Sequence, residues 1–553
     1  MISSNIFERL PIYKLQELIG ASHLEEVQNV LEAMNFDSSS SSLIHTRGFL
    51  SAYARATQNI IYLFTPEGLS NILGTLSEDE INEFCKENDI LVADKEDFIG
   101  YAQRSIRNKE FRDCLARAMG LEEFLSEEGG GTQKFDYFDF IPSAKPYKPL
   151  KDYQFEVYFQ AVEKLKNISS RFILQMPTGS GKTRTAMEIA CDYLNSHPDG
   201  TVIWLAHSTE LCDQASECFG EVWPHLAKRN LRFQRYYGKH KLEPIADYKV
   251  GFLCSSFQSL LSRIEASPES IDTYLCKDRL IVVDEAHKVV APTYKKVTQS
   301  LLNDWSSVMG LTATPGRSYG ALNTDDENEM LADFFFNTHL SFNPHGKDAI
   351  EYLRDKGVLA KATFEPLVIS GVDLKLTAKE LSYVSRMFEL PAEVLVKIGK
   401  NHLRNAEIIG KLVDIVKSGR AKSIIFFATS LEQSKLVSSL LNFLGVSAQH
   451  VDGATPAILR KDAIDKFRRQ EIHVLCNYEV LSTGFDAPLV DCVFIARPTA
   501  SVVLYSQMIG RGLRGPAIGG KDKCLIINVR DNIINLPGID AMYRIFDEYW
   551  VQN

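Results

Sequence analysis

Residues 177–183 constrain this chain more than any other stretch. Their sequence is Pro-Thr-Gly-Ser-Gly-Lys-Thr, and they lie between an apolar run, residues 171–174, and residues 184–190, whose apolar positions have helical spacing. A glycine-rich turn between a buried strand and a helix is the context of a phosphate-binding loop. Its backbone N–H groups point at phosphate oxygens, and the helix N-terminus adds the positive end of its dipole. The stretch therefore predicts an α/β domain that binds a nucleotide.

Two side chains of this loop suit a nucleoside triphosphate. We expect Lys182 to reach the β- and γ-phosphates and Thr183 to ligate Mg²⁺. Met176 stands where such loops usually have their first glycine, and the alternative is a glycine-rich turn with a chance lysine. The ATP-binding residues predicted here are Pro177, Thr178, Gly179, Ser180, Gly181, Lys182 and Thr183.

A second motif, residues 280–287, is an apolar run that ends in Asp-Glu-Ala-His. Asp284 can hold the magnesium ion that Thr183 also contacts. Glu285 can polarise the attacking water, because the metal and the base act on opposite sides of the γ-phosphate. The alternative is that two adjacent acids end a buried strand by chance.

Two arginines three residues apart, Arg511 and Arg514, are expected on one face of a helix. Phosphoryl transfer needs a cation against the developing charge, and arginine supplies one well. These arginines lie far along the chain from the phosphate loop, so we expect them on a second domain that closes over ATP. By themselves they could equally be two surface arginines.

Length and composition are those of an ordinary multidomain globular protein. The chain has 553 residues, 45% hydrophobic and 24% charged, with a formal net charge of −10. This charge predicts modest, salt-sensitive binding to nucleic acid. We expect no membrane span and no signal peptide, hence a cytoplasmic protein. Its ten cysteines are scattered, which predicts reduced thiols and no structural zinc.

The order of elements predicts four segments along the chain. They are a mostly helical accessory domain (residues 1–128), a linker (129–147), a first α/β domain (148–338) and a second α/β domain (339–553). Glycines in a row mark the linker. The fold class is therefore α/β, with an additional helical domain at the N-terminus.

The N-terminal segment carries no clear catalytic signature. Ser77 and Glu80 precede an apolar position in the pattern of a helix capping box. Asp94, Glu96 and Asp97 could suggest a nuclease site, but acids near helix starts usually cap the helix or face solvent. We favour the capping interpretation.

The ordered motifs resemble those of superfamily 2 helicases from residue 148 to about residue 532. The Asp-Glu-Ala-His box differs from the Asp-Glu-Ala-Asp box of RNA-directed relatives. Residues 483–488 and 509–514 are similar to RadD-like helicases and to the motor subunits of type I and type III restriction enzymes. The resemblance implies two tandem RecA-like domains with ATP between them, and it favours DNA over RNA. RadD-like helicases usually carry a cysteine-rich zinc segment after the motor, and residues 533–553 contain no cysteine.

The resemblance also implies roles for residues outside the phosphate loop. It implies that Gln154 reads adenine, although a surface glutamine at a helix start is the simpler interpretation. It implies ATP contacts at Gly484 and Asp486, a catalytic Gln507, and coupling residues at His287, Thr312 and Thr314. The implied nucleic-acid contacts are His207, Ser208, Ser256, Gln258, Thr429, Ser430 and Thr483, and capped helices would explain their hydroxyls equally well.

We therefore expect an ATP-hydrolysing DNA helicase or translocase that uses ATP and Mg²⁺. The alternative is a nucleic-acid sensor that clamps DNA and signals to an effector without processive unwinding. A relic motor without catalysis is disfavoured by the complete set of catalytic residues. We further expect a separate nuclease or effector to dock on residues 1–128, in antiphage defence or DNA repair.

Overall fold

The computed structural model describes residues 6–35, 43–56, 66–105, 108–118, 147–238, 240–242, 249–267, 271–313, 325–387, 389–453, 455, 457–479, 489–499 and 501–534. Within these residues, two parallel β-sheets flanked by helices follow a helical N-terminal domain. The predicted fold class is therefore confirmed. None of the described helices is both long enough and apolar enough to cross a bilayer.

The N-terminal domain is built from short helices. They are α1 (Ile6–Arg9), α2 (Ile12–Ile19), α3 (Ala21–Ala33), α4 (Arg47–Ala56), α5 (Pro66–Leu73), α6 (Glu78–Glu87), α7 (Lys95–Ser105) and α8 (Lys109–Ala118). The capping box before α6 is confirmed, because Ser77 accepts from the Glu80 amide and the Glu80 side chain accepts from the Ser77 amide. Asp94 accepts from the Asp97 amide at 2.8 Å, which is the capping role expected for these acids.

The first α/β domain contains a seven-stranded parallel sheet in the order β3-β4-β2-β5-β6-β1-β7. Its strands are β1 (Arg171–Gln175), β2 (Thr201–Ala206), β3 (Phe233–Tyr236), β4 (Phe252–Ser256), β5 (Arg279–Asp284), β6 (Ser306–Thr312) and β7 (His339–Leu340). Strands β2, β5 and β6 are buried along their whole length, which explains the apolar runs within their sequences. Because β7 joins this sheet, the first domain extends at least to Leu340, past the boundary expected at residue 338.

Helices cover both faces of this sheet. They are α9 (Asp152–Leu165), α10 (Lys182–Ser196), α11 (Thr209–Leu226), α12 (Phe257–Ala266), α13 (Pro292–Leu301) and α14 (Asp325–Phe334). The acidic and polar composition of residues 324–329 predicts a surface loop. This prediction is wrong for residues 325–329, which form the start of α14. Acidic side chains favour a helix N-terminus through the helix dipole, so the same composition suits a first helical turn.

The second α/β domain contains a six-stranded parallel sheet in the order β10-β11-β9-β12-β13-β8. Its elements are α15 (Ala349–Asp355), β8 (Lys361–Lys375), α16 (Ala378–Met387), α17 (Ala392–Gly399), α18 (His402–Lys417), β9 (Ile424–Phe427), α19 (Leu431–Phe443), β10 (Ala448–Val451), α20 (Ala457–Arg468), β11 (Val474–Asn477), β12 (Cys492–Ile495), α21 (Val502–Gly510) and β13 (Lys523–Ile534).

The N-terminal domain packs on the second α/β domain, where it covers helices α18 and α19. Apolar side chains of α3 and α4 share one continuous hydrophobic core with side chains of α18 and α19. The rings of Phe49 in α4 and Phe443 in α19 meet edge to face, with centroids 5.1 Å apart. The two units are therefore one packed body, which the sequence pattern alone does not predict.

Candidate ATPase site and nucleic-acid interface

The predicted phosphate loop connects β1 to the N-terminus of α10. Gly179 and Gly181 have φ values of 84° and 87°, a left-handed conformation that glycine adopts without steric cost. Met176 is completely buried, and its amide donates to the Thr312 carbonyl at 3.1 Å. This position is part of the domain core, which explains why a large apolar residue can replace the usual glycine.

Helix α9 holds the loop from behind. The Tyr153 hydroxyl and the Gln154 amide nitrogen both donate to the Ser180 carbonyl, at 2.7 and 3.0 Å. The Gln154 carbonyl oxygen accepts from the Lys151 amide at 2.9 Å, so this side chain caps its own helix. Gln154 thus has a structural role beside the loop. One N–H group and one lone pair of the amide stay available by stoichiometry, and adenine recognition stays a prediction.

The two acids predicted for catalysis lie at the end of β5. Asp284 is buried, and the Glu285 amide donates to its carboxylate at 3.0 Å. Glu285 has a φ of 53°, which is uncommon for a residue with a side chain and typical of functional turns. The His287 Nδ1 atom lies 3.4 Å from a Glu285 carboxylate oxygen.

Burial and neighbouring charges act differently on these acids. Burial, together with the neighbouring Glu285 charge, raises the pKa of Asp284. For Glu285 burial acts in the same direction, but Lys182 and His287 outweigh it and lower the pKa. Glu285 is therefore the better proton acceptor in its ionised form, and Asp284 is the carboxylate that a cation would stabilise.

The second domain reaches this centre through α21. The Gln507 side-chain amide donates to a Glu285 carboxylate oxygen at 3.0 Å, across the cleft between the two domains. Gly510, the last residue of α21, lies so close to the phosphate loop that an added Cβ would be 2.1 Å from the Thr178 Cγ2 atom. The structure is therefore a closed arrangement of the two domains.

The two arginines occupy different places. Helix α21 ends at Gly510, so Arg511 and Arg514 do not share a helical face, and that expectation is wrong. Glycines on both sides of Arg511 disfavour continuing the helix. Burial lowers the pKa of Arg511 to about 10, and the charges of Glu285 and Asp284 oppose that shift. Arg514 forms a β-bridge with Leu359, and burial and Arg468 lower its pKa to about 10. Arg511 is therefore the arginine nearer to the acids.

ATP and Mg²⁺ fit the residues that are present. The left-handed glycines shape a loop open to phosphate, and Lys182 lies within electrostatic reach of both acids. Thr183 and Asp284 offer a hydroxyl and a buried carboxylate, the hard oxygen ligands that Mg²⁺ prefers. The raised pKa of Asp284 indicates a carboxylate that a nearby cation would stabilise.

The predicted nucleic-acid contacts of the first domain lie on neighbouring strand ends. His207 and Ser208 follow β2, and Ser256 and Gln258 follow β4, which is paired with β2. Ser208 and Ser256 cap α11 and α12, accepting from backbone amides at 3.4 and 3.1 Å. Gln258 is exposed. Two helix N-termini at one sheet edge suit phosphate, but contact with nucleic acid stays a prediction.

Two of the three contacts predicted in the second domain, Thr429 and Ser430, are buried. Thr429 donates to the Gln433 side chain at 3.0 Å, and Ser430 caps α19. Gly399 covers both hydroxyls, since an added Cβ there would be 2.5 Å from the Thr429 Oγ1 atom. The closed structure uses these hydroxyls internally, because α17 packs over the end of β9. Thr314, Thr483, Gly484 and Asp486 lie outside the described residues.

Sequence reasoning missed further contacts between the two domains. Arg460 of α20 forms an ion pair with Glu210 of α11, and the Lys151 ammonium donates to the Ala517 carbonyl at 3.1 Å. These partners are hundreds of residues apart in the chain. No local pattern marks such pairs, so the sequence carried no signal for them.

Two family profiles match the chain. The family described as "Type III restriction enzyme, res subunit" matches residues 147–317, and the "Helicase conserved C-terminal domain" matches residues 406–515. The first match contains the phosphate loop and the Asp-Glu-Ala-His box, and the second contains Arg511 and Arg514. The two matches thus coincide with the two α/β domains.

Named relatives agree with these matches. The Saccharomyces cerevisiae protein IRC3, named as an ATP-dependent helicase, is 26% identical over 68% of this chain and 51% of its own length. An Escherichia coli type I restriction enzyme EcoAI endonuclease subunit is 23% identical over 73% of this chain and 50% of its own length. This chain therefore spans about half of the length of each.

Among solved structures, the type ISP restriction-modification enzyme LlaBIII bound to DNA has a TM-score of 0.49 at 18% identity, covering 72% of this chain and 29% of that one. The described site has the geometry of an ATPase that closes between two domains. Together with the family matches, this arrangement makes the chain similar to ATP-dependent helicases and to restriction-enzyme subunits across both of its α/β domains.

Proposed function

We propose that this protein couples ATP hydrolysis to movement on DNA. The observation that carries the proposal is the hydrogen bond between Gln507 and Glu285, which joins α21, the helix that ends just before Arg511, to the acid of the other domain. Hydrolysis is then possible only in the closed cleft, so each turnover requires closing and opening. That cycle suits a helicase or translocase.

In this mechanism the chain's own residues have separate tasks. Lys182 and the loop amides bind phosphate, and Thr183 with Asp284 would hold Mg²⁺, which supplies charge neutralisation when bound. Glu285, ionised because Lys182 and His287 outweigh its burial, orients and deprotonates the attacking water. Arg511 places a partly buried positive charge within electrostatic reach of the acids, where negative charge would develop on the phosphoryl group.

We test the substrate by measuring steady-state ATP hydrolysis with no nucleic acid, single-stranded DNA, duplex DNA and matched RNA. Lys182→Ala is the blank, because the phosphates lose their main cation. Stimulation of at least about tenfold by one DNA form supports a DNA motor and names its track. Stimulation by RNA alone would contradict the choice of DNA.

A second candidate is a sensor that clamps DNA and signals without unwinding. The packing of the N-terminal domain on α18 and α19 favours it, because movement of the second motor domain would be transmitted outward directly. Strand displacement separates the candidates. Processive unwinding by the isolated protein excludes the pure sensor, whereas DNA-stimulated hydrolysis without displacement supports it.

We further propose that the protein acts in the cytoplasm, in antiphage defence or DNA repair, with a nuclease or effector docked on its N-terminal domain. The relatedness to restriction subunits motivates this proposal. Because the domain shares a core with the motor, the test uses a surface variant instead of a truncation. Leu91 is 98% exposed there, so Leu91→Asp should reduce recovery of a co-expressed partner, while Ile168→Asp, at a 66% exposed site of the first domain, should not.

A further inference from the structure

Among the polar contacts between the motor domains, the one made by Arg460 joins two charged side chains. Arg460 of α20 contacts the Glu210 carboxylate at the start of α11, and both side chains are partly buried, with 16% and 33% of their surface exposed. Glu210 follows β2 and Glu285 follows β5, and these strands are neighbours in the first sheet. The contacts made by Arg460 and Gln507 therefore cross the cleft from adjacent strand ends.

Arg460 is held in place by the backbone before its helix. Its second guanidinium nitrogen donates to the Thr455 carbonyl at 3.1 Å. Thr455 is itself fixed by Asp452, which accepts from the Thr455 amide at 2.6 Å and from its hydroxyl at 2.8 Å. The direction of the Arg460 side chain therefore depends on the Asp452–Thr455 turn.

This turn is anchored in the domain core. His450 lies 3.1 Å from the Asp452 carboxylate through Nε2 and 2.7 Å from the Ser434 hydroxyl through Nδ1. Ser434, His450, Asp452 and Thr455 are all buried. Buried polar groups that bond one another in this way fix a single arrangement, because breaking one bond leaves its partner unsatisfied. We call these four residues the buried relay.

Arg460 favours the ionised form of the Glu210 carboxylate. Burial of Glu210 opposes its ionisation, but its own backbone amide and Arg460 outweigh burial and lower its pKa. A partly buried charge that has lost its counter-charge is costly, so removing either partner penalises the closed cleft, whereas removing both leaves no unpaired charge there.

We propose that Arg460 is a positioning residue for ATP hydrolysis: paired with Glu210 it holds the cleft closed, and the buried relay sets its direction. Arg460 acts through Gln507 and Arg511, which meet Glu285 and the nucleotide only when the domains are together. The residue pair also links the ATP site to the end of β2, where nucleic-acid contact is predicted at Ser208.

The test is a double-mutant cycle in the full-length protein. Arg460→Gln, Glu210→Gln and the double variant are assayed for ATP hydrolysis over a range of ATP concentrations. Each single variant should lower kcat/KM about tenfold, and the double variant should be no worse than either, because the pair acts as a unit. The value of kcat should fall less than kcat/KM, since saturating ATP itself favours closure.

Lys466→Ala is the matched control. Lys466 lies on the same helix and pairs with Asp462 at 2.6 Å within one domain, so its loss should leave kcat/KM unchanged. For the relay, Thr455→Val removes the hydroxyl at nearly constant volume and should move kcat/KM in the direction of Arg460→Gln. Thr455→Ser keeps the hydroxyl and should retain parental kinetics.

Three results would overturn the inference. They are unchanged kcat/KM in Arg460→Gln, additive losses in the double variant, or equal effects of Thr455→Val and Thr455→Ser. The inference rests on the ATPase activity of the parent protein. A parent without ATP hydrolysis would count against that activity, whereas an active parent with an unaffected Arg460→Gln variant would count against the inference alone.

Discussion

Glu285 occupies a backbone conformation that a residue with a side chain rarely adopts, with a φ of 53°. Such a conformation costs roughly 1 kcal/mol or more and persists where the surroundings enforce it. Gln507 donates to this carboxylate from across the cleft, and the His287 Nδ1 atom of the same domain lies 3.4 Å from it. The residue therefore has its orientation set by both domains.

The first prediction concerns this carboxylate. Glu285→Gln should retain ATP binding and lower single-turnover hydrolysis about 100- to 1000-fold, because the amide cannot accept the proton of the attacking water. Nucleotide titration and rapid-quench hydrolysis measure the two effects separately. Glu163→Gln, on the exposed face of α9, is the control. Hydrolysis at the parental rate in Glu285→Gln would show that another group acts as the base.

At the scale of single residues, the sequence predicted the chemical type of the site residues better than it predicted whether they are exposed. Lys182, Asp284 and Glu285 lie close together because each lies at or after the carboxyl end of a strand in the same parallel sheet. Thr429 and Ser430 have the right chemistry for phosphate, yet α17 covers them. Burial by a distant element depends on tertiary packing, which local residue patterns do not encode.

Helix α21 contacts the phosphate loop through its last residue, Gly510. Gly510 faces the phosphate loop with no room for a Cβ, which would lie 2.1 Å from the Thr178 Cγ2 atom. Close approach of two backbones is a reason for glycine that a helical pattern does not reveal. The expectation of two arginines on one helical face failed at the same place, because the helix ends there.

The second prediction follows from this contact. Gly510→Ala should hinder closure and lower kcat/KM for ATP at least about tenfold, while alanine itself favours helix and leaves the folded domain intact. Steady-state kinetics and thermal unfolding report the two properties. Gly410→Ala in α18, with no atom within 4 Å of the added Cβ, is the matched control. Normal kinetics in Gly510→Ala would contradict the closed arrangement as the hydrolysing state.

The third prediction concerns the capping box of α6 and its pH dependence. Hydrogen bonds from Arg9 and from the Ser77 amide lower the pKa of Glu80 from 4.5 to about 2. The folded state therefore binds this proton less readily than the unfolded state does. The stabilisation is complete above about pH 4.5 and is lost as the pH falls toward 2.

Glu80→Gln should therefore destabilise the N-terminal domain by about 1 kcal/mol at neutral pH and weaken its loss of stability in acid. Urea unfolding between pH 7 and pH 3 measures both effects. Glu83→Gln, on the same helix but outside the capping box, is the control. If the variant lost stability in acid as the parent does, Glu80 would not contribute to that pH dependence.

At the scale of the whole molecule, the described N-terminal helices and the second α/β domain form one packed body. The sequence predicted a helical domain followed by a linker, and it left the position of that domain open. The structure shows α3 and α4 packed on α18 and α19 in one core. The apolar faces of these four helices each have helical spacing, but which face meets which is decided by the fold of the complete chain.

The fourth prediction tests this shared core. Phe49→Ala should lower the free energy of unfolding by about 3 kcal/mol. It should shift the N-terminal and second motor domains together, because the ring contacts Phe443 across their boundary. The double variant with Phe443→Ala should cost less than the sum of the single variants. Calorimetry detects both results, with the exposed Tyr13→Ala as the control. Separate melting of the N-terminal domain would contradict a common core.

The shared core also determines which parts of the molecule would move together in the proposed ATP cycle. If the cleft opens and closes as a hinge, the N-terminal helices move together with the second motor domain. This movement is relative to the first motor domain. A small angular change at the nucleotide becomes a larger displacement at the outer surface of these helices. Under the proposed function, a partner bound at that surface would then be displaced together with the second motor domain.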